Sequence, residues 1–595
     1  MVLTSSSLLL SVIPPPKIRA DSSARNRSLC ARNSLTSTDK LLGAKSETTS
    51  KTEEKITKRV ILNLAMQRES DGERYPQPAS LTRFVIFSSV LLVVSLFAPS
   101  SLSVDVNEFL AQRERFLADE SARILGGGIT LSSNEELVNT MLMTAKTFEY
   151  DQSFSSLNFT PATHFFLSKP AMLESEVFQF IRQMPKGGVL HIHDVAVTPL
   201  EFIIYDASYR PNLYVCSPPK DPVFFQYASP APANLPDCDW TLVADRRAQE
   251  GALQFDAWLR SKLSLYTPNP QEAYPNINSV WTAFENTLIA GSGIITFAPV
   301  FTDYFYEGLQ SFYDDNVQYI EIRTTLPQVY NLDGTLLDEA QVTQLYKDTF
   351  DRFRNDHPDF TGAKIIFAPL RRADNATMSR YVELASQLKA QFPDVVAGFD
   401  LVGQEDLGPP LKEFLSQLLA GAVDPNLHYF FHAGETNWHG TDVDENLIDA
   451  ILLNTTRIGH GFAIAKHPSV MELARSNGVP VEICPISNQV LALVDDLRNH
   501  PAAMLFSNGF PLVISSDDPA SWDAVALSSD FYMAFMGLAG KKADLRTLKQ
   551  LAINSIMFSA MTTDEKNSAM AEWQRRWNDF ILNKYEDYKT KHNLI

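Results

Sequence analysis

The sequence predicts an α/β chain built on a (β/α)8 barrel of the triosephosphate isomerase type. Short β-rich runs alternate with helical stretches eight times, at Gly188–Asp194, Val317–Leu326, Ala363–Leu370, Val396–Gly403, His428–Glu435, Arg457–Gly461, Pro480–Asn488 and Pro511–Asp518. Polar, chemistry-bearing side chains gather at the C-terminal ends of these runs, where such a barrel builds its active site. An apolar fraction of 45%, with 37 Phe and 19 Tyr in 595 residues, supplies a sizeable core for one large domain with insertions or for two or three smaller ones.

Residues 1–80 are rich in Ser, Thr, Lys and Arg without hydrophobic periodicity, and read as a low-order or removed segment. Residues 81–103 read as a signal peptide. Arg83 precedes the apolar run Phe84 to Phe97, and small residues follow through Ser103. That run suits a secretory core and is short of the about 20 residues a spanning helix needs. Cleavage is expected near Ser103, with Met66 as an alternative start; an uncleaved signal anchor, which would tether the protein to a membrane, is the second reading. Residues 104–183 are helical in pattern. Phe109-Leu110, Phe116-Leu117 and Ile124 form an apolar stripe able to pack on the main domain or on a second subunit, and Ser133-Asn-Glu-Glu136 resembles a capping box.

The first barrel strand falls in residues 184–204. Residues 205–265 read as an inserted subdomain, and residues 266–595 as the remainder of the barrel. Of four cysteines, Cys30 lies in the N-terminal segment and Cys484 in an apolar run. Cys216 and Cys238 flank a proline-rich stretch, where a loop-closing disulfide competes with two free thiols. Asn158, Asn375 and Asn454 each open a glycosylation triplet, so a glycoprotein is expected. A formal net charge of -19 disfavours nucleic acid and anionic membrane surfaces as partners.

The chemistry is written in four strand-end segments: Leu190-His-Ile-His-Asp194, His432-Ala-Gly-Glu435, Arg457-Ile-Gly-His-Gly461 and Ser515-Ser-Asp-Asp-Pro519. Alternate residues of a strand share a side, so His191 and His193 can grip one ion together, with His432 and Asp517 arriving from distant strands. Imidazole and carboxylate donors suit zinc, one ion per subunit.

Taken together, these residues resemble the adenosine deaminase superfamily, and more closely its secreted growth-factor-like branch. The resemblance rests on Met184-Pro-Lys-Gly-Gly-Val-Leu-His-Ile-His193, Val395-Val-Ala-Gly-Phe-Asp-Leu-Val-Gly403, Cys484-Pro-Ile-Ser-Asn488 and the strand-end segments above, and it covers roughly Val104 to the C-terminus. It implies zinc on His191, His193, His432 and Asp517, with a water as the remaining ligand and hydrolytic deamination of a purine nucleoside. His460 would orient or stabilise the attacking hydroxide, and Glu435 would protonate the ring nitrogen. Asp518 and the backbone of Gly403 would hold the purine, Asp194 would contribute to ribose binding, and Trp281, Phe284 and Glu285 would wall the pocket. Trp281 and Phe284, at helical spacing, also read as ordinary core residues, and His428, His467 and His500 as structural histidines. As the resemblance aligns, relatives carry histidines near Leu336-Leu337 and at Leu370, so an altered sugar preference is expected here.

The leading expectation is a secreted adenosine deaminase acting on adenosine and 2'-deoxyadenosine, a homodimeric hydrolase of purine metabolism with growth-factor-like signalling through a receptor or glycan. The alternatives are a deaminase of another aminopurine nucleoside or nucleotide, and an extracellular receptor-binding protein for which the barrel is only a scaffold. No Lys/Arg cluster accompanies the motifs, which weighs against a nucleotide phosphate.

Overall fold

The computed structural model describes residues 105–591. The segments read above as low-order (1–80) and as signal peptide or anchor (81–103), with Cys30, lie outside the described residues. Among the described residues no helix is long and apolar enough to cross a membrane.

Eight parallel strand positions form the centre: β1 (Gly187–His193), β2 (Val317–Thr324), β3 (Gly362–Phe367), β4 (Val396–Phe399), β5 (His428–Tyr429, continuing at His432–Ala433), β6 (Ile458–His460), β7 (Val481–Ile483) and β8 (Leu512–Ile514). One ladder runs from β1 through β2, β3 and β4 to the first part of β5, and a second from the later part of β5 through β6 and β7 to β8. The ring closes between β1 and β8. Ile192 bridges Asp517, the His193 amide donates to the Asp517 carbonyl, and the Asp517 amide donates to the His191 carbonyl, each at 3.0 Å. The eight runs read from the sequence are these strands.

Strand alternation divides the side chains of β2. Ile320 and Ile322 join the apolar core, whereas Glu321 and Arg323 enter a polar cluster spanning several strands. Arg323 pairs with Asp400 at 2.8 Å and with Glu482 at 2.6 Å; Arg457 pairs with Glu482 and Glu321, both at 2.5 Å. All five side chains are fully buried. Breaking one buried pair leaves an uncompensated charge, so this set stands or falls as a unit.

The chain between β1 and β2 carries an antiparallel sheet with Leu213–Cys216 at its centre, Phe224–Tyr227 on one side and Thr241–Leu242 on the other. Cys216 and Cys238, separated by 22 residues, are disulfide-bonded. The sheet lies against helix Ile277–Ile295, where Gly293 permits the approach: a Cβ there would stand 2.0 Å from the Phe225 carbonyl oxygen.

Among the described residues four α-helices precede the barrel. The first, α1 (Val106–Arg123), buries no residue, and Phe116 is 71% exposed. The second, α2 (Ser133–Ser156), begins one residue earlier than the sequence reading placed it. Ser132 is the cap, and Glu135, not Glu136, returns the bond to the Ser132 amide at 2.8 Å. The shift follows from what Glu135 reaches. Its carboxylate also pairs with Lys549 at 2.6 Å and accepts from the Trp577 indole at 2.7 Å, tying α2 to the C-terminal helices. Burial opposes that charge, but Lys549 and the hydrogen bonds hold its pKa down at about 2.

Candidate active site

The strand ends converge on one buried point. His191 and His193 close β1, His432 lies in β5, His460 ends β6, and Asp517 and Asp518 follow β8. His460 and Asp517 both adopt positive φ, 55° and 59°, a conformation costly for a residue with a side chain. Such strain is tolerated where a strand end must turn its side chain to a fixed place.

His191, His193, His432 and Asp517 each present one donor atom, all within 4.8 Å of one another. His191 Nε2 lies 3.2 Å from His193 Nε2, and Asp517 Oδ1 lies 3.0 Å from His193 Nε2 and 3.4 Å from His191 Nε2. Two of the rings are held from behind. His191 Nδ1 donates to Glu482 and His432 Nδ1 to Asp400, both at 2.7 Å. With Nδ1 carrying the proton, each Nε2 turns a lone pair inward, as a metal ligand requires. Burial keeps His432 neutral, its pKa lowered to about 3. Burial disfavours a charge on Asp517 as well, yet His460, His191 and His193 hold it anionic. Three imidazoles and one carboxylate so arranged fit a divalent transition metal.

Beside this set the acids behave differently. Glu435 is buried, and burial, then the charges of Asp517 and Glu405, raise its pKa well above the usual carboxylate range. Glu405, which sequence reasoning missed, receives the Gly434 amide at 2.9 Å, the Glu435 amide at 2.7 Å and the Asn446 amide at 2.7 Å, so it holds the turn that aims Glu435. Asp518 is raised by burial and then by the Asp517 charge, and Asp194 by burial. One oxygen of each, Asp518 Oδ1 and Asp194 Oδ2, is buried without a hydrogen-bond partner.

His460 Nε2 stands 3.6 Å from Glu435 Oε1 and 3.7 Å from Asp517 Oδ2. Asp400 and Glu482 also escaped the sequence reading. Glu482 is a single acid inside an apolar strand and Asp400 directly follows one, so neither shows in the sequence which distant side chain it pairs with.

Gly403 has φ of 102°, and Leu370, which bridges Val402, lies close enough that a Cβ on Gly403 would be 3.8 Å from its side chain. Leu336 is exposed, while the Leu337 amide is tied back to Val329. Trp281 and Phe284 belong to the apolar core; they pack edge to face, and Phe284 lies 6.2 Å from Trp522 in the segment after Asp518. Glu285, on the same helix, is half-buried. Cys484 is buried, its thiol pushed well above its usual range by burial. His428 is exposed.

A second trio, His439, Asp444 and His467, also brings donor atoms within 4.8 Å. Its chemistry is that of a loop cap. Asp444 already accepts from the Gly440 and Thr441 amides, the Thr441 hydroxyl and His467.

Against protein families, residues 267–574 match the family described as adenosine deaminase, and residues 90–181 match adenosine/AMP deaminase N-terminal. The chain is 45% identical over 495 residues to adenosine deaminase 2 of Homo sapiens, covering 83% of this chain and 96% of that protein. It is 45% identical over 500 residues to adenosine deaminase 2-A of Danio rerio, covering 84% and 99%. It is 44% identical over 483 residues to adenosine deaminase of Lutzomyia longipalpis, covering 81% and 94%.

Proposed function

This chain belongs to the adenosine deaminase family and is a hydrolytic deaminase of adenosine; from that premise we propose that it works outside the cell, with zinc, on adenosine and 2'-deoxyadenosine. The observation that carries the site assignment is the division of labour among buried acids. Asp517 is held anionic among three histidines, while Glu435, close by, is held neutral. A zinc ion on His191, His193, His432 and Asp517 would supply the Lewis acidity that lets a water ionise near neutral pH.

The overall reaction adds water to the purine carbon bearing the amino group and releases ammonia, leaving a carbonyl. Glu435, being protonated, can give its proton to the ring nitrogen beside that carbon, drawing electron density away as the oxygen attacks. It can then recover a proton from the added oxygen, while the amino group takes up the proton that the water lost on ionising and leaves as ammonia. Burial in a site that already holds Asp517 is what makes a carboxylic acid a donor at neutral pH. Asp518, with one oxygen unpartnered and its pKa raised, suits a hydrogen bond to a ring nitrogen, and the Gly403 backbone offers a second contact to the purine. Asp194 is similarly equipped for a ribose hydroxyl. Trp281 and Phe284 would stiffen the wall from the core, with Glu285 beside them.

Export is supported by the Cys216–Cys238 disulfide, since such bonds persist in oxidising compartments. Asn158, Asn375 and Asn454 are all exposed, as acceptors of glycan must be. A homodimer is supported by α1, whose Phe109, Leu110 and Phe116 find no partner within the described chain. The disulfide-bonded insertion is the surface we assign to any receptor or glycan, and growth-factor-like signalling would act through it.

The test is ammonia release by the purified, metal-loaded chain across a panel of aminopurine nucleosides and nucleotides. Adenosine should lead. A preference for a nucleotide, or no release from any nucleoside, would overturn the reading.

A further inference from the structure

Behind His460 runs a hydrogen-bonded chain that the catalytic reading leaves unused. The Ala502 amide donates to His500 Nδ1 at 3.0 Å, His500 Nε2 lies 2.9 Å from Asn488 Oδ1, and Asn488 Nδ2 lies 3.1 Å from His460 Nδ1. All three side chains are buried.

The direction of every bond in this chain is determined by its far end. A backbone N–H can only donate, so His500 Nδ1 must be the ring's lone pair, and a neutral imidazole then carries its one proton on Nε2. His500 is neutral, burial lowering its pKa to about 3. Its Nε2–H can be satisfied only by the oxygen of Asn488, which turns the Asn488 NH2 toward His460. An NH2 group has no lone pair to offer, so His460 Nδ1 accepts. The reverse arrangement would give His500 two accepting nitrogens and no proton, which a neutral imidazole cannot have. His460 is thereby left with its proton on Nε2, the nitrogen that stands 3.6 Å from Glu435 and 3.7 Å from Asp517.

We propose that Asn488 and His500 are positioning residues that lock His460 as the Nε2–H tautomer, so that it faces the reaction centre as a hydrogen-bond donor and not as a proton acceptor. The inference rests on the assignment of this centre as the deaminase site. It assigns His460 to stabilising negative charge on an oxygen there, with proton transfer left to Glu435. His500, whose ring carries no motif of its own and reaches no ligand, acts on chemistry through two intervening side chains. Phe462 packs edge to face on the His500 ring at 4.9 Å and fixes its plane.

Two measurements on the full, zinc-loaded chain test this. Neutron diffraction reads the protons directly: deuterium is expected on Nε2 of both His460 and His500, with none on either Nδ1. Deuterium on His460 Nδ1 would overturn the proposal whether or not the protein deaminates adenosine, so its failure is separable from failure of the functional reading. Kinetics supplies the second arm. Asn488→Asp replaces the donor by an acceptor and favours the opposite tautomer, and a catalytic imidazole held in the wrong tautomer costs up to about 10⁴-fold in kcat. We expect at least about 10²-fold, with KM and zinc content close to the parent. His500→Phe should lose about 10-fold, because Asn488 is then free to turn. His500→Gln, which can again donate to Asn488, should recover most of it. Equal loss in the Phe and Gln variants would mean that His500 only fills space, and would sink the proposal.

Discussion

Two buried charged clusters sit within a few side chains of one another in the barrel, and they are built on opposite principles. In the inner one, Arg323 and Arg457 share Glu321, Glu482 and Asp400 at 2.5–2.8 Å, and both arginines are pushed further up by their partners. It is saturated. The outer one gathers Asp194, Glu435, Asp517 and Asp518 with no arginine paired to any of them, raises three of the four acids, and leaves buried oxygens without partners. Buried polar groups are ordinarily satisfied, so a set that is not marks where something else must bind. The two are joined by His191 and His432, which point one nitrogen at each. Closure in one cluster is what allows the other to stay open.

The sharpest way to break the comparison is to neutralise an acid in each. Glu435→Gln keeps shape but removes the exchangeable proton, so turnover should fall about 10²–10⁴-fold with little change in folding stability. Binding of the substrate should survive, and near-parent kcat would move the proton donor elsewhere. Glu482→Gln should do the reverse in kind. Loss of a carboxylate shared by two arginines strands charge in the core, and about 3–5 kcal/mol of stability should go with it in urea unfolding. Because Glu482 also holds His191, metal affinity should drop about 10–100-fold. If Glu482→Gln were as stable as the parent, the inner cluster would not be the closed unit described here.

Much of this contrast was legible in the sequence, and the part that was not has a physical reason. Strand ends announce themselves, because a histidine or aspartate interrupts an apolar run; His191, His193, His432, His460 and Asp517 were read that way, and the structure brings them together. Asp400, just past the end of β4, and Glu482, inside β7, were given no role. Each is one buried acid whose partner, Arg323 for Asp400 and Arg457 for Glu482, lies 77 or 25 residues away in sequence. Glu405 was hidden for the same reason, as its partners are backbone amides of another loop. His500 was read as a structural histidine; what it is hydrogen-bonded to, not its neighbours in sequence, gives it a further role. The capping box was misplaced by one residue because both Ser132-Glu135 and Ser133-Glu136 satisfy the pattern, and only Lys549 and Trp577 distinguish them.

The insertion offers a control that touches neither cluster. The Cys216–Cys238 bond closes a loop of 22 residues, worth on the order of 3 kcal/mol in the chain-entropy model. Reduction should loosen the insertion sheet, seen as faster proteolysis around Cys238, while metal content and turnover stay near the parent values. Loss of metal on reduction would show that the insertion and the site are one cooperative unit.

The smallest effect lies at the edge of the open cluster. Leu370 is 57% exposed and borders Gly403, whose backbone is assigned to the purine. Leucine offers no donor or acceptor, so a ribose hydroxyl facing it would forgo a hydrogen bond worth about 0.5–1.5 kcal/mol net. Asp194, assigned to another ribose hydroxyl, and Asp518, assigned to the purine, are buried below the rim where Leu370 is exposed, and do not replace that contact. An apolar rim therefore discriminates less between sugars with and without the hydroxyl, and adenosine should be favoured only weakly over 2'-deoxyadenosine. Leu370→His would place a donor at this rim, where the sequence resemblance leads us to expect a histidine. The adenosine to deoxyadenosine ratio of kcat/KM should then rise by about 2- to 12-fold, the range that this hydrogen-bond energy spans. Turnover itself should change little, because the substitution leaves the metal ligands and Glu435 untouched. An unchanged ratio would remove Leu370 from sugar recognition and confine specificity to the unpartnered oxygens within.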